Sequence, residues 1–298
     1  MHRVFVTGAT GFVGRGVVQA LRADGHIVRC LVRRGSEPLL RGLGAVERVE
    51  GDVLIRGTLD VAMAGCDAVI HLVGIIRERP ALAATFERLH VDATRNVLAA
   101  ASGAGVRRVL HMSALGTRPG ARARYHQTKW RAEEAVRSSG LDWTIFRPSI
   151  IYGHGDGFVT VLGRMVRRLP IVPVIGSGTA RLQPVWLPTV AEGFARALDR
   201  PAAVGHAYEV GGPEAYTLNE VLDLIGAMLK RRVRKAHVPL GLVRRLTAVL
   251  QSVPFYPVTT DQLRMLEEDN VCDPKPFHHA FDLEPVSFPT GLERMLLA

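Results

Sequence analysis

The chain lacks several things, and each absence excludes a class of protein. No run of about 18 apolar residues occurs, so no bilayer-spanning helix is expected, although 47% of the residues are hydrophobic. There are only three cysteines, Cys30, Cys66 and Cys272, far apart and none in a Cys-x-x-Cys spacing. That argues against a disulfide framework and a thiolate metal site, and for a reducing compartment. Zinc-finger, RNP-like and basic-zipper patterns are missing, so nucleic acid is not expected as the main partner. No internal repeat or low-complexity segment is visible. The first strand begins almost at Met1, leaving no room for a leader. A cytoplasmic protein is therefore expected, peripheral at the inner face of a membrane if it meets one.

What is present is ample material for one large core, or a core plus a smaller lobe, in 298 residues. The formal net charge of +10 suits an anionic cofactor, an acidic partner or membrane headgroups. Strand-like and helix-like stretches alternate through about the first half. Strands are expected at 3–7, 26–32, within 44–53, and at 67–73, 107–113 and 143–151. Helices are expected at 11–23, 55–63, 86–102 and 125–139. Such alternation predicts an α/β fold with a doubly wound parallel sheet. After Gly153 the rhythm breaks. Residues 1–153, with a returning segment near 183–212, are expected to form a dinucleotide-binding Rossmann domain. Residues 154–298 are expected to form a smaller mixed α/β lobe for substrate or partner, with the ligand cleft between the two. In that lobe Thr217 and Glu220 carry a capping-box signature.

The densest signal is Thr7-Gly8-Ala9-Thr10-Gly11-Phe12-Val13-Gly14, which leaves a strand and opens a helix. Gly8 permits the tight turn, Gly11 lets backbone approach a pyrophosphate, and Gly14 lets the helix pack closely on the sheet. The helix N-terminus then offers unpaired N–H groups and a positive dipole end to the phosphates. The second strand ends at Val32, where an NAD-preferring site usually carries an acid, and Arg33-Arg34 follow. Guanidinium groups suit a 2′-phosphate, so NADP(H) is expected over NAD(H).

Tyr125 and Lys129 lie one helical turn apart on one face. A tyrosine with a pKa near 10 is a poor acid/base at neutral pH. An adjacent ammonium favours its phenolate, and a shift of about three units takes roughly 4 kcal/mol of differential interaction. Ser113 first, and Thr117 second, are the hydroxyls that follow the fifth strand.

Together these motifs resemble the extended and atypical short-chain dehydrogenase/reductase superfamily, over nearly the whole chain. The resemblance implies a Ser113-Tyr125-Lys129 site and further cofactor contacts. Asp52 and Val53 would flank the adenine, and Leu72, Val73 and Gly74 would lie behind the ribose. Pro148, Ser149, Ile150 and Ile151 would pack near the nicotinamide, and Lys129 would hold the ribose. Two departures stand out. Only twelve positions separate Ser113 from Tyr125, and His90 stands where active members place an asparagine. Ser113-Ala114-Leu115-Gly116, His90-Val91 and the tail 261–270 look most like the branch of the nucleotide-binding accessory subunit of respiratory complex I and its bacterial epimerase/dehydratase-like relatives. The resemblance thus implies either an oxidoreductase or epimerase/dehydratase-type enzyme, or a non-catalytic NADPH-binding subunit or assembly factor.

One more stretch stands apart. From Leu224 to Thr260 there is no acid, while Lys230, Arg231, Arg232, Arg234, Lys235, Arg244 and Arg245 are present. Leu242, Val243, Leu246, Val249 and Leu250 form an apolar stripe at helical spacing beside them. Region 230–252 is therefore read as a contact for an acidic protein or a membrane surface, or else as a lobe helix covering a substrate pocket.

Overall fold

A computed structural model describes residues 1–251, 253 and 258–296. In chain order the elements are β1 (Arg3–Thr7), α1 (Phe12–Ala23), β2 (Ile27–Val32), β3 (Glu47–Glu50), α2 (Arg56–Ala62), β4 (Ala68–His71), α3 (Ala93–Gly103), β5 (Arg108–Met112), α4 (Arg124–Arg137) and β6 (Asp142–Pro148). Then come β7 (Ile151–Tyr152), α5 (Val159–Arg168), β8 (Val172–Ile175), β9 (Arg181–Leu182), β10 (Val185–Trp186), α6 (Leu187–Ala197), β11 (His206–Val210), β12 (Tyr216–Thr217) and α7 (Leu218–Met228). The last are β13 (Lys235–Val238), α8 (Leu240–Leu250), α9 (Thr260–Leu266), α10 (Lys275–Ala280) and α11 (Phe288–Leu296). Two compact units result. One is Met1–Pro148 with Leu187–Val210 and Lys275–Glu284; the other is Ser149–Trp186 with Gly211–Pro274 and Pro285–Ala298.

The first unit is a seven-stranded sheet in the order β11-β6-β5-β4-β1-β2-β3. Every pairing in it is parallel. The expected doubly wound α/β fold is what forms. Its central strands are apolar on both faces because helices cover both: all four residues of β4 are buried. One face holds Phe5, Val69, Val109 and Ile145 against Ala93, Val97 and Val136 of α3 and α4. On α1, the missing side chain of Gly16 lets Leu187 of α6 approach to where a Cβ would be 3.0 Å away. The strand order reverses between β1 and β4, which makes their C-terminal ends the switch point where such sheets take ligands.

The second unit has its own core, with Tyr152, Val159, Val172, Trp186, Val221, Ile225, Phe288 and Leu292. Its strands pair two by two: β7 with β10, β9 with β12, and β8 with β13. The expected capping box is present, with the Thr217 hydroxyl accepting from the Glu220 N–H and the Glu220 carboxylate accepting in return.

Gly14 gives a direct test of the packing at β1. A Cβ there would overlap the Gly8 carbonyl oxygen and lie 2.8 Å from the Ala9 Cα. Gly14→Ala must push α1 off the strand, and overpacking of this kind costs about 1–3 kcal/mol. Thermal unfolding of the variant should show a lower Tm, whereas Gly25→Ala, with open space around it but a positive φ of 79°, should lose less.

Candidate functional site

The loop after β1 is built for close backbone approach. Gly8 has a φ of 75°, and a Cβ on it would sit 3.0 Å from the Leu72 carbonyl carbon. The segments leaving β1 and β4 therefore touch at the switch point. Gly11 donates its N–H to the Gly8 carbonyl at 3.0 Å and is itself exposed. It starts α1 in an extended conformation, with no capping side chain and no acid in the first turn. The first N–H groups of α1 and its dipole end are thus left to an anion. Thr10, Phe12 and Val13 are half-buried around this cradle, and Gly14 is buried. The glycine cradle and the uncapped helix end fit a dinucleotide pyrophosphate.

The other expected cofactor residues fall in several places. Arg33 and Arg34 follow β2 and are exposed; the Arg34 Nε lies 4.0 Å from a Glu50 carboxylate oxygen. Asp52 shapes its own turn, its Oδ1 accepting from the Leu54 N–H at 2.9 Å and its N–H reaching the Thr58 hydroxyl at 3.2 Å. Val53 and Leu72 are buried, Val53 within the core, while Val73 is half-buried and Gly74 exposed. The Pro148 carbonyl, at the end of β6, accepts from the Leu115 N–H. Ser149, Ile150 and Ile151 begin the second unit. There the Ser149 hydroxyl donates to the Asn270 side-chain oxygen at 2.5 Å, and Ile151 pairs with Val185.

Tyr125, Lys129 and Glu133 line one face of α4, and all three are buried. The Lys129 ammonium donates to the Met112 carbonyl at the end of β5, at 2.9 Å. It also lies 3.0 Å from where a Cβ of Gly74 would be. A side chain at position 74 would collide with it. Burial, partly opposed by the Glu133 carboxylate, brings Lys129 down to about 8. Burial acts to raise Glu133, yet hydrogen bonds from Arg147, Ser113 and Arg137 together hold it below the usual carboxylate range. Arg147 grips it with two bonds of 2.8 and 2.6 Å, and Arg137 adds a third at 2.8 Å.

Four histidines surround this face. His71 meets the Thr7 hydroxyl at 2.7 Å and stacks on His111, the ring centroids 5.5 Å apart. The His71 Nε2 and both ring nitrogens of His111 are buried with no hydrogen-bond partner among the described residues. Burial, and then the Lys129 charge, pull His71 down to about 3; burial and the neighbouring His71 depress His111 well below its ordinary value. His90 takes the place expected for an asparagine. Its Nδ1 lies 2.8 Å from the Thr128 hydroxyl, and its Nε2 lies 3.2 Å from the Ile75 N–H. Nε2 also lies 3.1 Å from the Ile75 carbonyl oxygen, and the Thr128 hydroxyl reaches the Arg124 and Tyr125 carbonyls of α4. Burial first, and Lys129 second, keep His90 neutral with a pKa of about 2. The ring thereby ties the segment after β4 to α4. His126 completes the group, its Nδ1 3.4 Å from the Thr117 hydroxyl.

Two features differ from the sequence expectations. Burial pushes the Tyr125 hydroxyl up to about 12, where a lowered value was expected. Phe86, His90 and His126 stand edge-on around its ring, with centroids 5.8, 5.3 and 5.1 Å away. They exclude water, and this burial is the cause of the raised value. Ser113 is 3% exposed, and its hydroxyl is engaged by the Glu133 carboxylate and lies 3.4 Å from the Thr117 hydroxyl. Glu133 was not singled out in the sequence. Extending the Tyr-x-x-x-Lys spacing by one more turn would have found it.

The fold and cradle define a dinucleotide-binding protein of the Rossmann class. A family model described as NAD(P)H-binding matches residues 8–164. The chain belongs to this NAD(P)H-binding family, within the short-chain dehydrogenase/reductase superfamily. It is 31% identical to the mitochondrial NADH dehydrogenase [ubiquinone] 1 alpha subcomplex subunit 9 of Arabidopsis thaliana, over 89% of this chain and 68% of that one. It is 39% identical to the ceramide reductase of Caulobacter vibrioides over 60% of this chain and 55% of that one. Among solved structures, MoeE5 in complex with UDP-glucose and NAD aligns with a TM-score of 0.76 at 21% identity, covering 97% and 96% of the two chains. Among the described residues no group of three or more His, Cys, Asp or Glu is placed to hold a metal ion.

The buried Lys129 has a measurable signature. Its folded pKa of about 8 lies below its ordinary 10.5, so between these values the unfolded chain binds more protons than the folded one. Stability from this group therefore rises with pH across that window, and below it the full penalty, roughly 3 kcal/mol, applies. Lys129→Met should be the more stable protein in urea at neutral pH, with the gap closing toward pH 10.

Proposed function

We propose that the chain is an NADP(H)-dependent oxidoreductase that reduces a carbonyl group, with Tyr125 as proton donor and Lys129 beside it. The observation that carries this reading is the buried Tyr125–Lys129 face at the ends of β4 and β5. The reduced nicotinamide, when bound, supplies a hydride to the carbonyl carbon. Gly8, Gly11, Gly14 and the α1 N-terminus hold the pyrophosphate, and Arg33 and Arg34 meet a 2′-phosphate. Asp52 and Val53 border the adenine, and Leu72, Val73 and Gly74 the ribose. Pro148, Ser149, Ile150 and Ile151 border the nicotinamide. With its pKa at about 12, Tyr125 is fully protonated at neutral pH, so it gives a proton to the forming alkoxide more readily than it takes one from an alcohol. Lys129, charged below about 8, steadies the tyrosinate left behind. Ser113 polarises the substrate oxygen only when its hydroxyl turns from Glu133, and Thr117 is the neighbouring hydroxyl able to share that role. The similarity to ceramide reductase makes a lipid-borne carbonyl the first substrate class to test.

A second reading rests on the same geometry. With Ser113 held by Glu133 and His90 tying Ile75 to α4, the site suits a dinucleotide kept as a structural element. The similarity to complex I subunits supports such a subunit or assembly factor, with a protein or membrane partner on the basic region 230–252. Ser252, within that region, lies outside the described residues.

NADPH oxidation with a panel of carbonyl compounds separates the readings. Tyr125→Phe should cut turnover by about 10²–10⁴-fold while leaving the NADPH Kd unchanged. Turnover should fall as pH rises through about 8, where Lys129 loses its charge. Tightly retained NADPH with no turnover on any carbonyl would favour the second reading. Arg33→Ala with Arg34→Ala should weaken NADPH by at least about tenfold and leave NADH unaffected; equal losses for both cofactors would remove the arginines from cofactor choice.

A further inference from the structure

The outer face of α8 is apolar, cationic and exposed. Leu242, Leu246 and Val249 recur at helical spacing on one side, and they are 52%, 47% and 77% exposed. Arg245 is exposed on the same side, flanked by the small residues Gly241 and Ala248. The opposite side anchors the helix: Thr247 is fully buried, and Leu240, Val243 and Leu250 are half-buried. Arg244 pairs with Glu267 next to α9, which fixes how far the helix can rotate. The ridge therefore points outward by construction.

Charge tells what the ridge suits. Lys230, Arg231, Arg232 and Arg234 precede β13 and are all exposed. Neither they nor Arg245 have an acidic partner among the ion pairs of the described residues. The Arg234 carbonyl accepts from the Val172 N–H, which sets this cluster beside Ile171, itself 50% exposed. Apolar side chains and free cations thus lie together at the start of the β8–β13 pair, and again on α8 beyond its end. Apart from Arg245, the outer face of α8 carries no hydrogen-bonding side chain. An acidic protein would need polar partners around its carboxylates. A lipid surface asks only for apolar area at acyl depth and cations at headgroup depth, and Arg245 can reach back to the headgroups along its own stem. Eleven residues span about 16 Å, so the helix is too short to cross a bilayer and long enough to lie in its plane.

We propose that α8 docks this protein on an anionic phospholipid surface, with Leu242, Leu246 and Val249 entering the acyl boundary and the cations of residues 230–234 and Arg245 facing the headgroups. The proposal goes beyond the dinucleotide chemistry and does not depend on turnover. It would place a lipid-borne substrate and the enzyme on the same surface.

The test is co-sedimentation of the full chain with vesicles of phosphatidylcholine alone, and of phosphatidylcholine with phosphatidylglycerol in equal parts. The expected result is binding to the anionic vesicles that weakens as salt rises, with little binding to the neutral ones. Leu246→Glu with Val249→Glu should reduce vesicle binding at least about tenfold and leave Tm and the NADPH Kd unchanged, because neither side chain is buried. Arg245→Glu should weaken binding less. Salt-sensitive retention on immobilised polyglutamate with no vesicle binding would identify an acidic protein as the partner and overturn the proposal. So would a Leu246→Glu, Val249→Glu protein that binds anionic vesicles as well as the parent.

Discussion

Everything at the switch point depends on one steric fact: the Gly8 carbonyl oxygen occupies the space where a side chain of residue 14 would be. That lets α1 start against β1, and the positive φ of Gly8 turns the chain up beside Leu72. Three segments, from β1, α1 and β4, then converge with backbone rather than side chains at their meeting point. Backbone N–H groups from an uncapped helix end are what remain to face an anion. The same logic recurs at Gly74, where the absent Cβ makes room for the Lys129 ammonium. Missing side chains at Gly8, Gly14 and Gly74 thus decide where the anion and the ammonium can lie.

The second constraint is electrostatic. An ammonium and a carboxylate are buried one turn apart on α4, and burying either alone would be costly. Arg147 and Arg137 more than neutralise Glu133, and Glu133 in turn limits how far the Lys129 pKa falls. Around them the imidazoles of His71, His90 and His111 are all driven neutral, so they add polarisable rings without further charge. The result is one ammonium brought down to about 8 beside one tyrosine pushed up to about 12. That asymmetry comes from dryness: the rings of Phe86, His90 and His126 close over Tyr125.

Much of the first unit was legible because parallel strands buried on both faces leave continuous apolar runs, as in β4, and glycines that must be glycine leave a spacing. The strands of the second unit were not legible. β7, β9, β10 and β12 have two residues each, and β8 and β13 mix proline, lysine and histidine into four-residue runs. Such pairs are chosen by tertiary contact, not by pattern. The helix expected over 86–102 opens instead with a π-helical stretch, Glu87–Asp92, a change in winding to which apolar spacing is blind. Within the site, Tyr125 and Lys129 were legible as one face, but the sign of the Tyr125 shift was not. It depends on burial beneath Phe86 and His90, brought in from elsewhere in the chain, and beside the neighbouring His126. Asp52 was read as an adenine contact with the capping of a following turn as the other reading, and it does shape the turn into α2.

The same difference separates binding from turnover. A pyrophosphate cradle needs little beyond backbone geometry, so few residues specify it and a sequence declares it openly. A buried hydroxyl is specified by partners from other elements, as Ser113 is. Three positively charged or polar donors converge on Glu133, and Ser113 is one of them. The surroundings of Ser113 are therefore set by the balance between these three donors. Arg137, half-buried against Trp130 and Trp143, is the more exposed of the two arginines on that carboxylate.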